Sequence, residues 1–296
     1  MESSPVRNRI LLFIAALLFS TGGAAIKAAT FTGWQVACFR SGVAAAVLLA
    51  ALPEARRGWS WRIVPVAAAY AATLICFVLS NRLTTSADAI FLQSTAPLYL
   101  LLLSPLLLRE PIRRADVVYM AAVVAGMLVF FVGTESAVTT APDPPRGNAI
   151  AAASGLFYAL MLAGLRWLAR GKAPGSGIAT VALGNLFACL ATLPMALPVK
   201  AAGAENVAVI LYLGVVQIGI AYMCLTRAIR HVPALEAATL LMIEPAMNPV
   251  WTWLVHGERP AAWSLAGGAV ILSATLANTW RQARSMAGPA QRDKSA

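Results

Sequence analysis

Runs of about 20 consecutive apolar residues recur from one end of this chain to the other, each long enough to cross the ~30 Å hydrocarbon core of a bilayer as a helix. That feature, rather than length, sets the architecture. A chain of 296 residues has room for two soluble domains, yet 59% of its residues are hydrophobic and only 12% charged, which places it outside the soluble globular range. The first run, Ile10 to Ala29, lacks the short apolar core and small-residue cleavage site of a secretory signal, and further runs follow it. It reads as a membrane helix.

Turn-rich punctuation divides the chain into ten spans, near 10 to 29, 34 to 52, 63 to 81, 86 to 108, 115 to 133, 147 to 169, 177 to 198, 207 to 228, 233 to 255 and 262 to 281. Short connections such as "PEARRGW", "REPIRR", "RGKAPGSG" and "HGERP" join them, with one longer loop, "GTESAVTTAPDPPRGN". Lys and Arg accumulate on the cytoplasmic side of short loops. Counted on alternate sides of ten spans, 17 basic residues fall on the side of both termini and 4 on the other. Both termini are therefore expected in the cytoplasm of a bacterium, with the chain in the inner membrane. The net charge of +11 reads as a topology signal with some attraction to anionic lipid rather than as a nucleic-acid footprint.

Catalytic and metal chemistry find little purchase here. Cys38, Cys76, Cys189 and Cys224 all lie within apolar spans without a CxxC pair, and read as packing residues. His231 and His256 sit at helix ends near loops. No metal site, no cofactor and no enzyme motif is expected, since neither a GxSxG elbow, a Walker loop nor a Rossmann fingerprint occurs in a fitting context.

An internal repeat does occur. Set over each other at an offset of 148 residues, "ADAIFLQSTAPLYLLLLSPLLLREPIRRA" from Ala87 and "LEAATLLMIEPAMNPVWTWLVHGERPAAW" from Leu235 align Asp88 with Glu236, Pro97 with Pro245 and Glu110 with Glu258 without a gap. Helices four and nine are thus counterparts. The expected fold is an all-α integral membrane protein, ten transmembrane helices in two halves of five, residues 1–140 and 141–296, forming one membrane domain. Because five is odd, the second half enters the membrane inverted, an arrangement that places binding sites near the midplane between halves.

The paired motifs "PLYLLLLSPLLLREP" and "EPAMNPVWTWLVHGERP", ending the fourth and ninth of ten helices, resemble the EamA branch of the drug/metabolite transporter superfamily. Within it, the aromatic-rich middle and short loops are similar to YddG-type aromatic amino-acid exporters. The resemblance implies a central cavity framed by helices one, three, four, six, eight and nine, with five and ten supporting it, and export of amino acids or related metabolites.

Glu244 is the residue that most needs explaining. With helix nine starting near Pro233, it lies about 16 Å down the slab at ~1.5 Å per residue. A charged acid facing lipid there costs at least ~3 kcal/mol, and protonating a carboxyl of ordinary acidity at pH 7 costs ~4 kcal/mol, so it should face a polar interior. Pro245 cannot donate to the Leu241 carbonyl, and Pro249 frees that of Pro245; with Pro97 in helix four, these are the expected helix bends. Glu244, Asn248 and Thr252 recur at i, i+4, i+8 as one polar stripe expected to line the cavity. Two roles for Glu244 stand open: a cap on the second half-helix, or a proton site or partner for a substrate ammonium.

Lys27 and Arg40 are the other ionisable residues within spans. Lys27 is placed to snorkel to the interface, while Arg40, deeper, either anchors helix carbonyls or attracts a substrate carboxylate. So few basic residues at depth argue against dianionic phosphate substrates. Trp34, Trp59, Trp61, Trp167, Trp263 and Trp280 lie at span ends, where an interfacial belt explains them. Candidate substrate-binding residues at depth are Tyr70 and Phe77 in helix three, Gln93 and Tyr99 in four, Tyr158 in six, Tyr222 in eight, and Glu244 and Asn248 in nine. Mixed aromatic and polar faces suit a flat apolar group with a few hydrogen bonds. The reading is a secondary transporter exporting aromatic or neutral amino acids by alternating access, with a broader drug or metabolite exporter as the alternative within transport and a channel-like protein or membrane enzyme outside it.

Overall fold

Backbone that crosses hydrocarbon must close its hydrogen bonds within itself, and every extended regular element among the described residues is a helix. The computed structural model describes residues 5–107, 112, 114–132, 137–169, 176–199, 203–228 and 231–292. In chain order these form α1 (Pro5–Ser20), α2 (Gly22–Ala28), α3 (Gly33–Ala51), a 3₁₀ turn (Pro53–Arg56), α4 (Ile63–Leu83), α5 (Ser86–Gln93), α6 (Ala96–Leu107), α7 (Arg114–Val132), α8 (Pro144–Ala169), α9 (Ser176–Ala196), α10 (Ala204–Leu211), a π-helical segment (Tyr212–Ile220), α11 (Ala221–Ala228), α12 (Ala234–Leu241), α13 (Ile243–His256) and α14 (Ala262–Arg292). Glu110, expected as the counterpart of Glu258, and the basic residues Arg109, Arg113, Arg170, Lys172, Lys200, Arg230 and Lys294 lie outside the described residues.

Eight helical stretches among the described residues are long and apolar enough to cross a membrane, from Val6–Ala28 to Ala204–Ala228. They correspond to the first eight expected spans. Helices α12 and α13, and α14, cover the sequence of the ninth and tenth expected spans.

Several spans are interrupted, and each interruption has a local cause. At the end of α1, the Ser20 and Thr21 hydroxyls donate to the Leu17 and Leu18 carbonyls at 2.6 and 2.7 Å, competing with the backbone ladder before Gly22 begins α2. At the end of α5, Ser94 and Thr95 do the same to Ile90 and Leu92, at 2.7 and 2.6 Å. Pro97 then stands in the first turn of α6 and Pro245 in the first turn of α13, where a missing N–H is tolerated. These prolines therefore restart broken helices rather than bend continuous ones. Pro249 lies inside α13, which runs on to His256; there Thr252 Oγ1 donates to the Asn248 and Pro249 carbonyls, both at 3.1 Å. The broken helices start at Ser86 and Ala234, the same 148 residues apart as the aligned motifs.

The expected eighth span contains a departure that no motif announced. Its middle, Tyr212–Ile220, is π-helical, a wider winding often found at functional sites. It packs on α3, while α4 lies against α8 and α9, α1 against α11 and α13, and α7 against α14.

The expected interfacial tryptophans are accessible, Trp59, Trp61 and Trp280 at about half or more of their surface. Element ends meet in pairs: the Arg62 guanidinium lies 5.4 Å from the Trp167 ring, Arg9 bonds Glu236 at 3.1 Å, and Arg281 pairs with Asp116. The start of α4 thus meets the end of α8, the start of α1 meets α12, and the start of α7 meets the far part of α14. The cysteines are free, with Cys38 and Cys189 packed across α3 and α9 at 3.7 Å between sulfurs.

In membranes helices associate through close contact of small residues rather than through the hydrophobic effect. At the α7–α14 crossing, a β-carbon on Gly267 would lie 2.8 Å from the Gly126 carbonyl and 2.6 Å from the Phe130 ring. Gly267→Leu should therefore destabilise the bundle by about 1–3 kcal/mol, read as a lower midpoint of thermal unfolding in detergent. An unchanged midpoint would contradict so close a crossing.

Candidate functional site

A cavity of about 410 Å³ opens where the two broken helices approach the π-helical span, within the size range of small-molecule sites. Tyr70 and Phe77 of α4, Gln93 at the end of α5, Tyr158 of α8, Tyr222 of α11 and Glu244 of α13 all line it, together with Pro97 and Pro245. Its walls are mostly apolar and aromatic, and several of their polar groups are tied to one another. Tyr70 donates its hydroxyl to that of Tyr222 at 2.9 Å, and Phe19 meets the Tyr222 ring edge-on at 5.1 Å. The Gln93 amide donates to Ser154 Oγ at 2.8 Å, and Ser154 in turn donates to the Thr73 carbonyl at 3.1 Å.

Two expected residues lie elsewhere. Tyr99 is not among the lining residues and packs with Ala159 and Ala163 in a cluster that borders the cavity through Ala96, Tyr158 and Leu162. Asn248 is fully buried, against α2 and the start of α5, where a β-carbon on Gly23 would meet its Oδ1 at 2.4 Å and Ser86 Oγ at 2.8 Å. The polar stripe of α13 therefore splits: Glu244 faces the cavity, and Asn248 and Thr252 one and two turns on are sealed in helix contacts. A helix face covers a long distance along its axis, and this cavity ends within one turn of Glu244.

Glu244 is half-buried and makes no hydrogen bond or ion pair among the described residues. No side-chain cap bonds the start of α13, so the hydrogen-bonded cap that would explain an acid here is absent. What remains of that role is the favourable field of a helix N-terminus.

The lining also holds Arg40 of α3, whose two open roles included attraction of a carboxylate, and residues outside the expected set: Gln217 and Ile218 from the π-helical segment, and Leu272, Thr275, Leu276 and Thr279 from α14. The tenth helix, expected to support the cavity, thus helps to form it. Thr275 and Thr279, four residues apart on an apolar helix, were the available signal.

Beyond Asn248, a second polar cluster closes the bundle, and it corrects the expectation that Lys27 snorkels to the interface. Lys27 Nζ pairs with Glu258 Oε2 at 2.7 Å, with side chains 4% and 2% exposed. Lys27 also donates to the Thr84 carbonyl at 2.9 Å and to that of Thr140. Glu258 follows Gly257, whose φ of 67° is a left-handed conformation that glycine takes without strain. This turn aims the carboxylate at α5, where the Ser86 N–H donates to Oε1 at 2.7 Å. The start of α5 therefore has two caps, its own Thr85 hydroxyl accepting from the Asp88 N–H at 3.1 Å and a glutamate from 172 residues away.

Comparison with known proteins agrees with this architecture. Residues 8–132 and 145–280 match the EamA-like transporter family. The chain belongs to that family. It is a multi-pass membrane transporter, and its described residues hold no group of three or more His, Cys, Asp or Glu placed for a metal ion. The pseudopaline exporter CntI of Pseudomonas aeruginosa, found in two strains, is 28% identical over 280 residues, covering 90% of this chain and 94% of that protein. One crystal structure shares the fold with a TM-score of 0.61 at 22% identity, over 94% of this chain and 98% of its own.

Removing one partner of a buried ion pair leaves the other charge uncompensated, at about 3–5 kcal/mol. Lys27→Met and Glu258→Met should each lower the unfolding midpoint sharply, while the double variant recovers most of the loss. Additive losses would show that the two side chains do not act as a pair.

Proposed function

We propose that this transporter exports aromatic and other neutral amino acids, or similar zwitterionic metabolites, from the cytoplasm across a bacterial inner membrane. One observation carries the reading: an unpaired carboxylate, Glu244, faces a cavity walled by Tyr70, Phe77, Tyr158 and Tyr222. The aromatic wall suits a flat apolar side chain, and the carboxylate suits an ammonium. A cavity of this size matches such a molecule.

Two inverted halves of five helices supply the working arrangement. Support comes from the equal spacing of the broken helices, from the division of the family match at residues 132 and 145, and from helix pairings that recur when the halves are exchanged. Thus α4 packs on α9 as the π-helical segment packs on α3, and α8 packs on α4 and α5 as α1 packs on α11 and α13. Rocking one half against the other exposes the cavity to each side in turn. The basic-residue count supports cytoplasmic termini, and the paired element ends are consistent with these basic residues sharing one side. On that orientation the Lys27–Glu258 cluster belongs to the outer side and closes the cavity there.

A second reading, a broader metabolite exporter, draws support from the relative named for pseudopaline. The two part in a reconstituted assay. Full-length protein in liposomes should carry Trp and Phe in saturable, mutually competitive fashion, and small neutral amino acids more weakly. Tyr158→Ala should weaken Trp and Phe uptake by about tenfold, the effect of losing one aromatic contact of about 1 kcal/mol or somewhat more, whereas Tyr99→Ala leaves that preference in place. Equal losses for every substrate would mark Tyr158 as packing alone, and saturable flux of larger metabolites without any of amino acids would favour the second reading. Glu244→Gln in the same assay keeps size and an acceptor but loses charge. It should fold normally and transport poorly, with any response to an imposed pH gradient abolished; unimpaired transport would confine Glu244 to a structural role.

A further inference from the structure

The cavity holds a second charge without a counterion. Arg40 sits in the middle of α3, 1% exposed, on the wall of the cavity. Its Nη2 reaches the Leu74 carbonyl at 3.5 Å, long for a hydrogen bond, and its Nε has no partner. A guanidinium carries five donors and stays protonated in proteins, and a buried cation with neither counterion nor satisfied donors is costly. The described residues place no carboxylate in an ion pair with it. The other charge on the wall, Glu244, is equally unpaired.

Two tyrosines of the wall feel both charges. Tyr70 lies within electrostatic reach of both Arg40 and Glu244, and Tyr222 lies near each as well. Their hydroxyls bond each other at 2.9 Å. One cation and one anion separated along an aromatic strip leave the cavity neutral overall yet polar at two points. A ligand with a single charge satisfies one of them and strands the other. A zwitterion satisfies both. The planar fork of a guanidinium matches a carboxylate through two parallel hydrogen bonds, and a single fork with no second cation beside it suits a monoanionic group rather than a dianionic phosphate.

We propose that Arg40 is the carboxylate-recognising residue of this transporter, so that the site selects molecules bearing both a carboxylate and an ammonium over aromatic compounds bearing one. This rests on the export of amino-acid-like substrates proposed above. It adds that recognition of the head group is divided between α3 and α13, one helix from each half of the chain, so that a bound zwitterion holds the halves together.

The test uses purified full-length protein in liposomes, with uptake of labelled Phe against three competitors: unlabelled Phe, phenethylamine, which lacks the carboxylate, and 3-phenylpropionate, which lacks the ammonium. Both single-charge compounds should compete at least about tenfold more weakly than Phe, the equivalent of one charge-assisted hydrogen-bonded contact. Arg40→Met, close in length and without a charge to bury, should bring phenethylamine level with residual Phe competition, and Arg40→Lys, which keeps charge but loses the fork, should fall between. If phenethylamine competes with wild-type protein as well as Phe does, Arg40 recognises no carboxylate and this inference falls while amino-acid export stands. If Phe itself is neither carried nor bound, as read by its effect on the unfolding midpoint, the functional reading fails and takes this inference with it. The comparison within the wild type needs no variant to fold.

Discussion

A helix that stops inside hydrocarbon leaves backbone donors and acceptors that only protein can satisfy, and this molecule stops its helices there repeatedly. The breaks after α1 and α5 answer with Ser and Thr hydroxyls. The buried start of α5 is closed by two acceptors, Thr85 from within and Glu258, which reaches across from the turn after α13 to accept from the Ser86 N–H. That one glutamate also pairs with Lys27 at 2.7 Å. Three segments distant in sequence, the end of α2, the start of α5 and the turn after α13, are thereby fixed to each other. At their other ends α5 and α13 border the cavity, at Gln93 and at Glu244 with Pro245.

The contrast between the two polar layers is a matter of partnership. In the closing cluster Lys27 and Glu258 are paired, with Thr84 donating to Asn148 at 2.6 Å and Asn148 to the Phe130 carbonyl at 3.1 Å. In the cavity the Tyr70 and Tyr222 hydroxyls bond each other, but Arg40 and Glu244 have no counterion. Paired charges lock a bundle; unpaired charges beside a void describe a place where a ligand supplies what is missing. The π-helical winding of Tyr212–Ile220 turns Gln217 toward α1, where it donates to the Phe19 carbonyl at 3.3 Å, and so ties the cavity wall to the interrupted first span.

Much of this was legible in the residues. Continuous apolar runs fixed the helical class and nearly all element positions, because the length needed to cross hydrocarbon leaves little freedom. The alignment of Pro97 with Pro245 marked the two broken helices, since a proline within an apolar run is accommodated in the first turn of a restarted helix. Six of the eight candidate binding residues share one cavity, chosen as aromatic or polar side chains at depth. What the sequence did not carry was long-range. Nothing near Lys27 announces Glu258, 231 residues on, and an isolated lysine near a span end has snorkelling as its local solution. The α13 stripe was periodic, but periodicity gives a face and not the depth at which the cavity ends, so Asn248 was assigned to the wrong neighbours. Tyr99 packs beside the lining residues Ala96, Tyr158 and Leu162 without joining the lining, and the π-helical turn has no local residue signature.

The central claim is that substrate occupies the cavity between the broken helices. A single cysteine at Ser94, which lines that cavity, in a protein whose four native cysteines are replaced by alanine, gives a direct reading of occupancy through its rate of reaction with a small thiol reagent. Phe or Trp should slow that reaction in a saturable manner, over the same concentration range in which each competes for transport. Transport that proceeds while the labelling rate at Ser94 stays unchanged at every substrate concentration would contradict the account.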